Sequence, residues 1–283
     1  MVKANFGDIP KQYRNPEKAK AVIIPVPYDG TSTWVKGADK GPAAIIEASA
    51  NMELYDIASD SEPYKVGIFT DTPVEEISSP EKMAQAVQER VSQHLSKGKF
   101  TIVIGGEHSV NIGAIMAHAK KHKKLTILQL DAHSDLRDEY HGSKFSHACV
   151  MARAKELCPV VQVGIRSMDI SEKRLLDKTR TFFAENIFGK TDWIDTVISL
   201  LEGDVYITID LDVFDPSIMP STGTPEPGGL GWYEVLELMR LVFHKNNVTG
   251  FDVVEMCPNP ANKAPDFLAA KLIYKLISYK FEF

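Results

Sequence analysis

The chain has 283 residues, 44% of them hydrophobic, and a net charge of −6 at pH 7, enough to bury one large α/β core over 1–283, although two smaller domains are conceivable. The acidic balance and the scattered Lys and Arg residues argue against a nucleic-acid surface, so no nucleic-acid partner is expected. The opening stretch MVKANFGDIPKQYRNPEKAK carries neither an apolar signal core nor a membrane-length apolar run, and Cys149, Cys158 and Cys257 are widely spaced, so a soluble cytoplasmic protein with reduced thiols is expected.

In chain order, residues 20–27 (KAVIIPVP) read as a first buried strand, 41–56 as a helix, 64–69 (YKVGIF) as a strand and 80–98 as a helix. Strand 100–106 (FTIVIGG), helix 111–122, strand 125–131 (LTILQLD), helix 147–157 and strand 159–166 (PVVQVGIR) follow. RTFF at 180–183 reads as a further short strand, then come helix 191–203, strand 204–212 (DVYITIDLD), helix 231–246, strand 249–256 (TGFDVVEM) and a closing helix over 265–280. Continuous apolar runs of this length suit strands covered on both faces, and their alternation with helices predicts a mostly parallel sheet between helical layers. The stretch 214–232, rich in Pro, Gly, Ser and Thr, reads as a shaped loop rather than a domain boundary.

The acids and imidazoles gather at the carboxyl ends of these strands, where ligands bind in open α/β sheets. Asp131, His133 and Asp135 follow one strand, Asp210 and Asp212 end another, and His108 follows a third. Residues at i, i+2 and i+4 of an extended segment face the same way, so Asp131, His133 and Asp135 would converge, and anions so packed ask for a cation between them. Singly, His108 could be a turn or core histidine, and Asp210 or Asp212 a cap. Together, four carboxylates and two imidazoles without a thiolate favour a hard-to-borderline ion such as Mn²⁺ over structural zinc or copper.

GGEHS (105–109), DAHSD (131–135), SHA (146–148), the segment 210–230 and VVEMCP (253–258) stand in the order and approximate spacing of the ureohydrolases, the arginase and agmatinase family. The chain resembles that family from Tyr28 to Ile273. The resemblance implies a three-layer α/β/α fold around a mainly parallel eight-stranded sheet, two Mn²⁺ ions per chain, and a homotrimer or homohexamer. By the same analogy His108, Asp131, Asp135 and Asp210 would hold one ion, and His133 and Asp212, with Asp131 and Asp210 bridging, the other. It further points to His147 for substrate contact and proton transfer, work that suits a near-neutral pKa, and to Glu255 for gripping a guanidinium. His141 rivals His147 but lies close to Asp135 in sequence. Asp169 would either attract a substrate's distal ammonium or merely cap the segment that follows it.

Arginases use an Asn and a Ser after the metal motif to hold the amino-acid end of arginine, whereas LRDEYHGSKF (136–145) has no Asn. This resembles the agmatinase branch, whose substrate lacks the carboxylate and yields putrescine and urea, a polyamine-forming reaction. Arginase or guanidinobutyrase-like activity, a single-zinc deacetylase-like site and a non-catalytic metal-binding paralogue remain alternatives. Apolar residues near the C-terminus, Tyr279, Phe281 and Phe283, would need cover, either within the chain or from another copy.

Overall fold

The computed structural model describes residues 5–282. Strands β1 (Ala21–Val26), β2 (Ile68–Thr70), β3 (Phe100–Gly105), β4 (Leu125–Leu130), β5 (Val160–Ile165), β6 (Thr181–Phe183), β7 (Asp204–Asp210) and β8 (Asn247–Val254) form one sheet. Their order is β2-β1-β3-β8-β7-β4-β5-β6, and every neighbouring pair is parallel. The expectation of a mainly parallel eight-stranded sheet therefore holds, with RTFF supplying the edge strand β6.

Helices α1 (Gly41–Ser49), α2 (Pro80–Ser96), α3 (Asn111–Lys121), α4 (Val150–Lys155), α5 (Ala184–Ile187), α6 (Trp193–Leu200), α7 (Trp232–Lys245) and α8 (Ala264–Glu282) connect the strands. Because side chains alternate along a strand, Ala21 and Ile23 of β1 belong to the core on one face of the sheet, with Ile45, Val197, Met239 and Leu272 from α1, α6, α7 and α8, while Val22 and Ile24 belong to that on the other, with Val87 and Ile115 from α2 and α3. Both faces are dry, which is why β1, β3, β4 and β5 are buried at every position. Each fully buried Leu or Ile contributes roughly 1.5–3 kcal/mol.

The departures from the sequence reading are local. Residues Pro63–Val66 form a 3₁₀ turn and Gly67 takes a positive φ of 83°, so β2 starts only at Ile68. Helix α1 stops at Ser49, well short of Asp56, which instead closes a turn with Ser61. The segment from His147 begins as a 3₁₀ turn through Cys149 before α4, and the short α5 had no counterpart in the periodicity. Tyr279 packs on Phe243 and Phe281 on Phe100 with ring centroids 6.3 and 5.8 Å apart, so these two find their cover within the chain. Phe283 lies outside the described residues. Among those residues no helix is long and apolar enough to cross a membrane.

α8 is tied to the turn after α1 by a buried ion pair, Lys275 Nζ lying 2.8 and 2.9 Å from the two carboxylate oxygens of Asp56. Burial works against the Asp56 charge, but the Lys275 hydrogen bond and charge outweigh it and hold the carboxyl below its ordinary pKa. Removing one partner strands the other, so Asp56→Ala is expected to cost about 3 kcal/mol, read by thermal denaturation. A depressed acid stabilises above its unfolded pKa and ceases to as pH falls through its folded one. The wild-type advantage over Asp56→Asn should therefore shrink below about pH 4.

Candidate metal centre and cleft

The four central strands, β3, β8, β7 and β4, end at one level: Leu130 pairs with Ile209, Asp210 with Val254, and Ile104 with Val253. The residues that follow are therefore neighbours, with His108 beyond β3, Asp131 beyond β4, Asp210 and Asp212 at and beyond β7, and Glu255 beyond β8. Gly106 is required at the end of β3, because a Cβ there would strike the Tyr28 carbonyl.

His108, Asp131 and Asp135 offer ligand atoms within 4.8 Å of one another, as do Asp131, His133 and Asp212, so Asp131 belongs to both groups. His108 Nδ1 is 2.8 Å from Asp135 Oδ2 and 3.1 Å from Asp131 Oδ2, and His133 Nδ1 is 2.9 Å from Asp212 Oδ2. Asp210 stands somewhat apart, its Oδ2 3.5 Å from His108 Nδ1. Main-chain amides hold the other oxygens: Asp131 Oδ1 accepts from the His133 amide (2.6 Å), Asp210 Oδ1 from that of Asp212 (2.9 Å), and Asp212 Oδ1 from that of Ala132 (3.0 Å).

The convergence is as expected, but its geometry is not that of one extended segment. The pairing along β5 persists to a bridge between His133 and Ser167, after which Asp135 turns into the left-handed region at φ 51°. Its carbonyl accepts from the Met151 and Ala152 amides at the start of α4, which holds this strained residue in place.

Electrostatics describe a site that lacks positive charge. Burial would lower the pKa of His108, yet Asp131 and Asp135 lift it well above the ordinary imidazole range, and His133 is raised to about 12 against burial by Asp212 and Asp131. Burial and then the Asp131 charge push Asp135 up to about 7, and burial with Asp212 and Asp131 raises Asp210. Protons are thus drawn in where a cation would serve. His108 Nδ1, though buried, forms no properly aligned hydrogen bond to the carboxylates around it, as suits a nitrogen aimed at an ion. The donor set fits divalent metal.

Around the cluster lies a cleft of about 190 Å³, lined among others by His147, Glu255, Asp169, Arg137 and Tyr140. Glu255 also has a positive φ, 65°, and its Oε1 accepts from the His108 amide at 2.7 Å. Burial and then Glu107 raise its pKa well above normal, so this acid too seeks a cation. His147 is held by Thr31, and the near-neutral value expected of it is not met: burial, then the positive charges of His108 and His133, lower it to about 4. His141 is exposed at a turn closed by Tyr140 and Ser143, outside the cleft lining. Asp169 does cap the following turn, Oδ1 accepting from the Ser171 amide at 3.0 Å, and also lines the cleft.

Three groups escaped the sequence reading. Glu172 is buried and clasps two loops, accepting from Ser134 Oγ and the Leu136 amide (both 2.8 Å) and from the Asp169 amide (2.6 Å). Asp252 accepts from Asn111 Nδ2 (2.7 Å) and the Tyr206 hydroxyl (2.8 Å), and Asn111 shares Thr208 Oγ1 with His108 Nε2. This chain fixes the outer edge of the His108 ring, and a carboxylate inside the apolar run FDVV was its signal. Arg137 lies 4.5 Å over the Tyr140 ring and 3.8 Å from Asp169 Oδ2.

Residues 19–278 match the model of the Arginase family. N(1)-aminopropylagmatine ureohydrolase of Synechocystis sp. is 37% identical, the match covering 97% of this chain and 95% of that protein. The crystal structure of agmatine ureohydrolase from Thermoplasma volcanium superposes with a TM-score of 0.86 at 32% identity, covering 95% of this chain and 92% of that one. Proclavaminate amidino hydrolase from Streptomyces clavuligerus gives 0.90 at 26% identity, with 100% and 98% covered.

Asp131→Asn is expected to lower bound divalent metal at both positions, and Asp212→Ala to remove chiefly one ion per chain. Metal-to-protein ratios by plasma mass spectrometry check this, and a full complement on Asp131→Asn would contradict the shared role.

Proposed function

Since the chain belongs to the arginase family, we propose that it is a manganese-dependent ureohydrolase whose substrate is an agmatine-type amine, agmatine itself or its N1-aminopropyl derivative. The observation that carries this is the placement of Glu255 in the same cleft as a cluster of four carboxylates and two imidazoles. His108, Asp131, Asp135 and Asp210 would hold one Mn²⁺, and His133 and Asp212, with Asp131 and Asp210 shared, the other. Bound there, the ions supply a water activated for nucleophilic attack near neutral pH.

The side chains do the rest. Glu255 pairs with the planar guanidinium, so that its charge is met inside a buried pocket and its carbon faces the cluster. Addition of water to that carbon gives a tetrahedral intermediate. As the bond to the alkylated nitrogen breaks, its electron pair stays on that nitrogen, which takes a proton from His147, and urea and the free amine depart. Asp169 lines the cleft wall 3.8 Å from Arg137, and a distal ammonium would compete with Arg137 for its carboxylate.

The names of the similar ureohydrolases support an amine-tailed substrate. Arg137 favours a second reading, a guanidino acid whose carboxylate it would bind. Asp169 and the Tyr140 ring already occupy its charge, which weighs against that. A homotrimer or homohexamer accompanies the proposal, and light scattering that finds an active monomer removes it.

Urea release from agmatine, N1-aminopropylagmatine, arginine and 4-guanidinobutyrate with Mn²⁺ tests the reading. One unmade charged hydrogen bond is worth about 1.5–3 kcal/mol, so kcat/KM for an agmatine-type amine should exceed that for arginine by roughly 100-fold or more. Preference for either carboxylate compound overturns it. Glu255→Gln is expected to lower kcat/KM by about 10- to 100-fold on every substrate, since all share the guanidinium.

A further inference from the structure

Thr31 sits in the loop after β1, 116 residues from His147 in sequence, and meets it twice. Its Oγ1 accepts from the His147 main-chain amide at 2.9 Å and lies 3.1 Å from His147 Nδ1. Behind it is Glu107, fully buried, whose carboxylate accepts from the Thr31 amide (3.2 Å), the Ser109 amide (2.9 Å) and Ser109 Oγ (2.7 Å).

A hydroxyl has one hydrogen to give and two lone pairs to fill. One lone pair of Thr31 Oγ1 takes the His147 amide hydrogen and the other can take an Nδ1 hydrogen, with Ser146 Oγ, 3.3 Å from the same nitrogen, as a second partner. With Nδ1 met by the Thr31 and Ser146 hydroxyls, Nε2 is the ring nitrogen left for the cleft. We propose that Thr31, anchored by Glu107, is the positioning residue that keeps a proton on Nδ1 of His147 and leaves Nε2 as the nitrogen that exchanges protons with the cleft. This rests on the reading of His147 as the proton carrier.

The chemistry then balances. Nε2 takes up the proton that the adding water gives up, forming an imidazolium whose Nδ1 hydrogen is received by Thr31. It returns that proton to the departing nitrogen as the C–N bond breaks, and the ring is again neutral with its hydrogen on Nδ1. The device matches the orienting member of a catalytic triad, with a hydroxyl in the place of the carboxylate.

The test compares Thr31→Val, Thr31→Ser and His147→Asn as full-length, metal-loaded enzymes. Thr31→Val should lower kcat by about 10- to 100-fold with KM and metal content little changed, and its pH profile should differ in shape from that of wild type. Thr31→Ser should recover most of the rate. Full kcat in Thr31→Val, or equal damage in Thr31→Ser, overturns the proposal, and the loss of rate in His147→Asn shows that the proton-carrier reading itself survives. Full activity in His147→Asn removes both. Nitrogen-15 spectra of the wild-type histidines, with Zn²⁺ as a diamagnetic occupant, give a reading that no variant's folding affects: neutral His147 with its hydrogen on Nδ1 supports the assignment, and one with its hydrogen on Nε2 refutes it.

Discussion

Like charges confined in a dry space are the constraint on which this structure turns. Asp131, Asp135, Asp210, Asp212 and Glu255 crowd the ends of three adjacent strands, β4, β7 and β8, and nothing in the apolar layers beneath can screen them. The protein accommodates them by tying one oxygen of Asp131, Asp210 and Asp212 to a main-chain amide, which leaves the other to face inward. The unmet charge falls to His108 and His133, whose raised pKa values register it. A divalent ion would relieve this repulsion, and on the proposed reading a guanidinium would do the same for Glu255.

Holding such a cluster open requires a frame that cannot relax. The parallel sheet supplies it, because each central strand is hydrogen-bonded on both sides and buried on both faces. The two strained non-glycine residues at the site, Asp135 and Glu255, are held by that frame at a cost of about 1–3 kcal/mol each. Glu172 and the Asn111, Thr208 and Asp252 chain carry the same rigidity out to the loops and to the His108 ring. Polar groups deep in the molecule thus serve the geometry of the cleft.

The cleft wall is less constrained. Arg137, Asp169 and Tyr140 come from loops and are partly open to solvent, Arg137 pairing with the Asp169 carboxylate and stacking on the Tyr140 ring. Positions of this kind can change without disturbing the sheet, which is how one reaction can serve substrates with different tails.

Much of the fold was legible because both signals were local. Runs such as VIIPV and TILQL are short and carry apolar residues on both faces, the pattern of buried parallel strands; the spacing of DAHSD and the DLD at the end of β7 marked the acids by an equally local signal. Helix ends and the start of β2 were misplaced because turns at Gly67 and after Ser49 depend on neighbours that periodicity does not contain. Asp135 was assigned an extended backbone, whereas amides 16 and 17 residues away fix it in a left-handed one. The sequence by itself determined the layered sheet and the kinds of ligand atoms, since composition and short-range pattern encode them. Only the tertiary structure decided that Thr31 and Glu107 stand behind His147 and that Arg137 is paired at the cleft wall, because those contacts join segments whose separation along the chain carries no periodic trace.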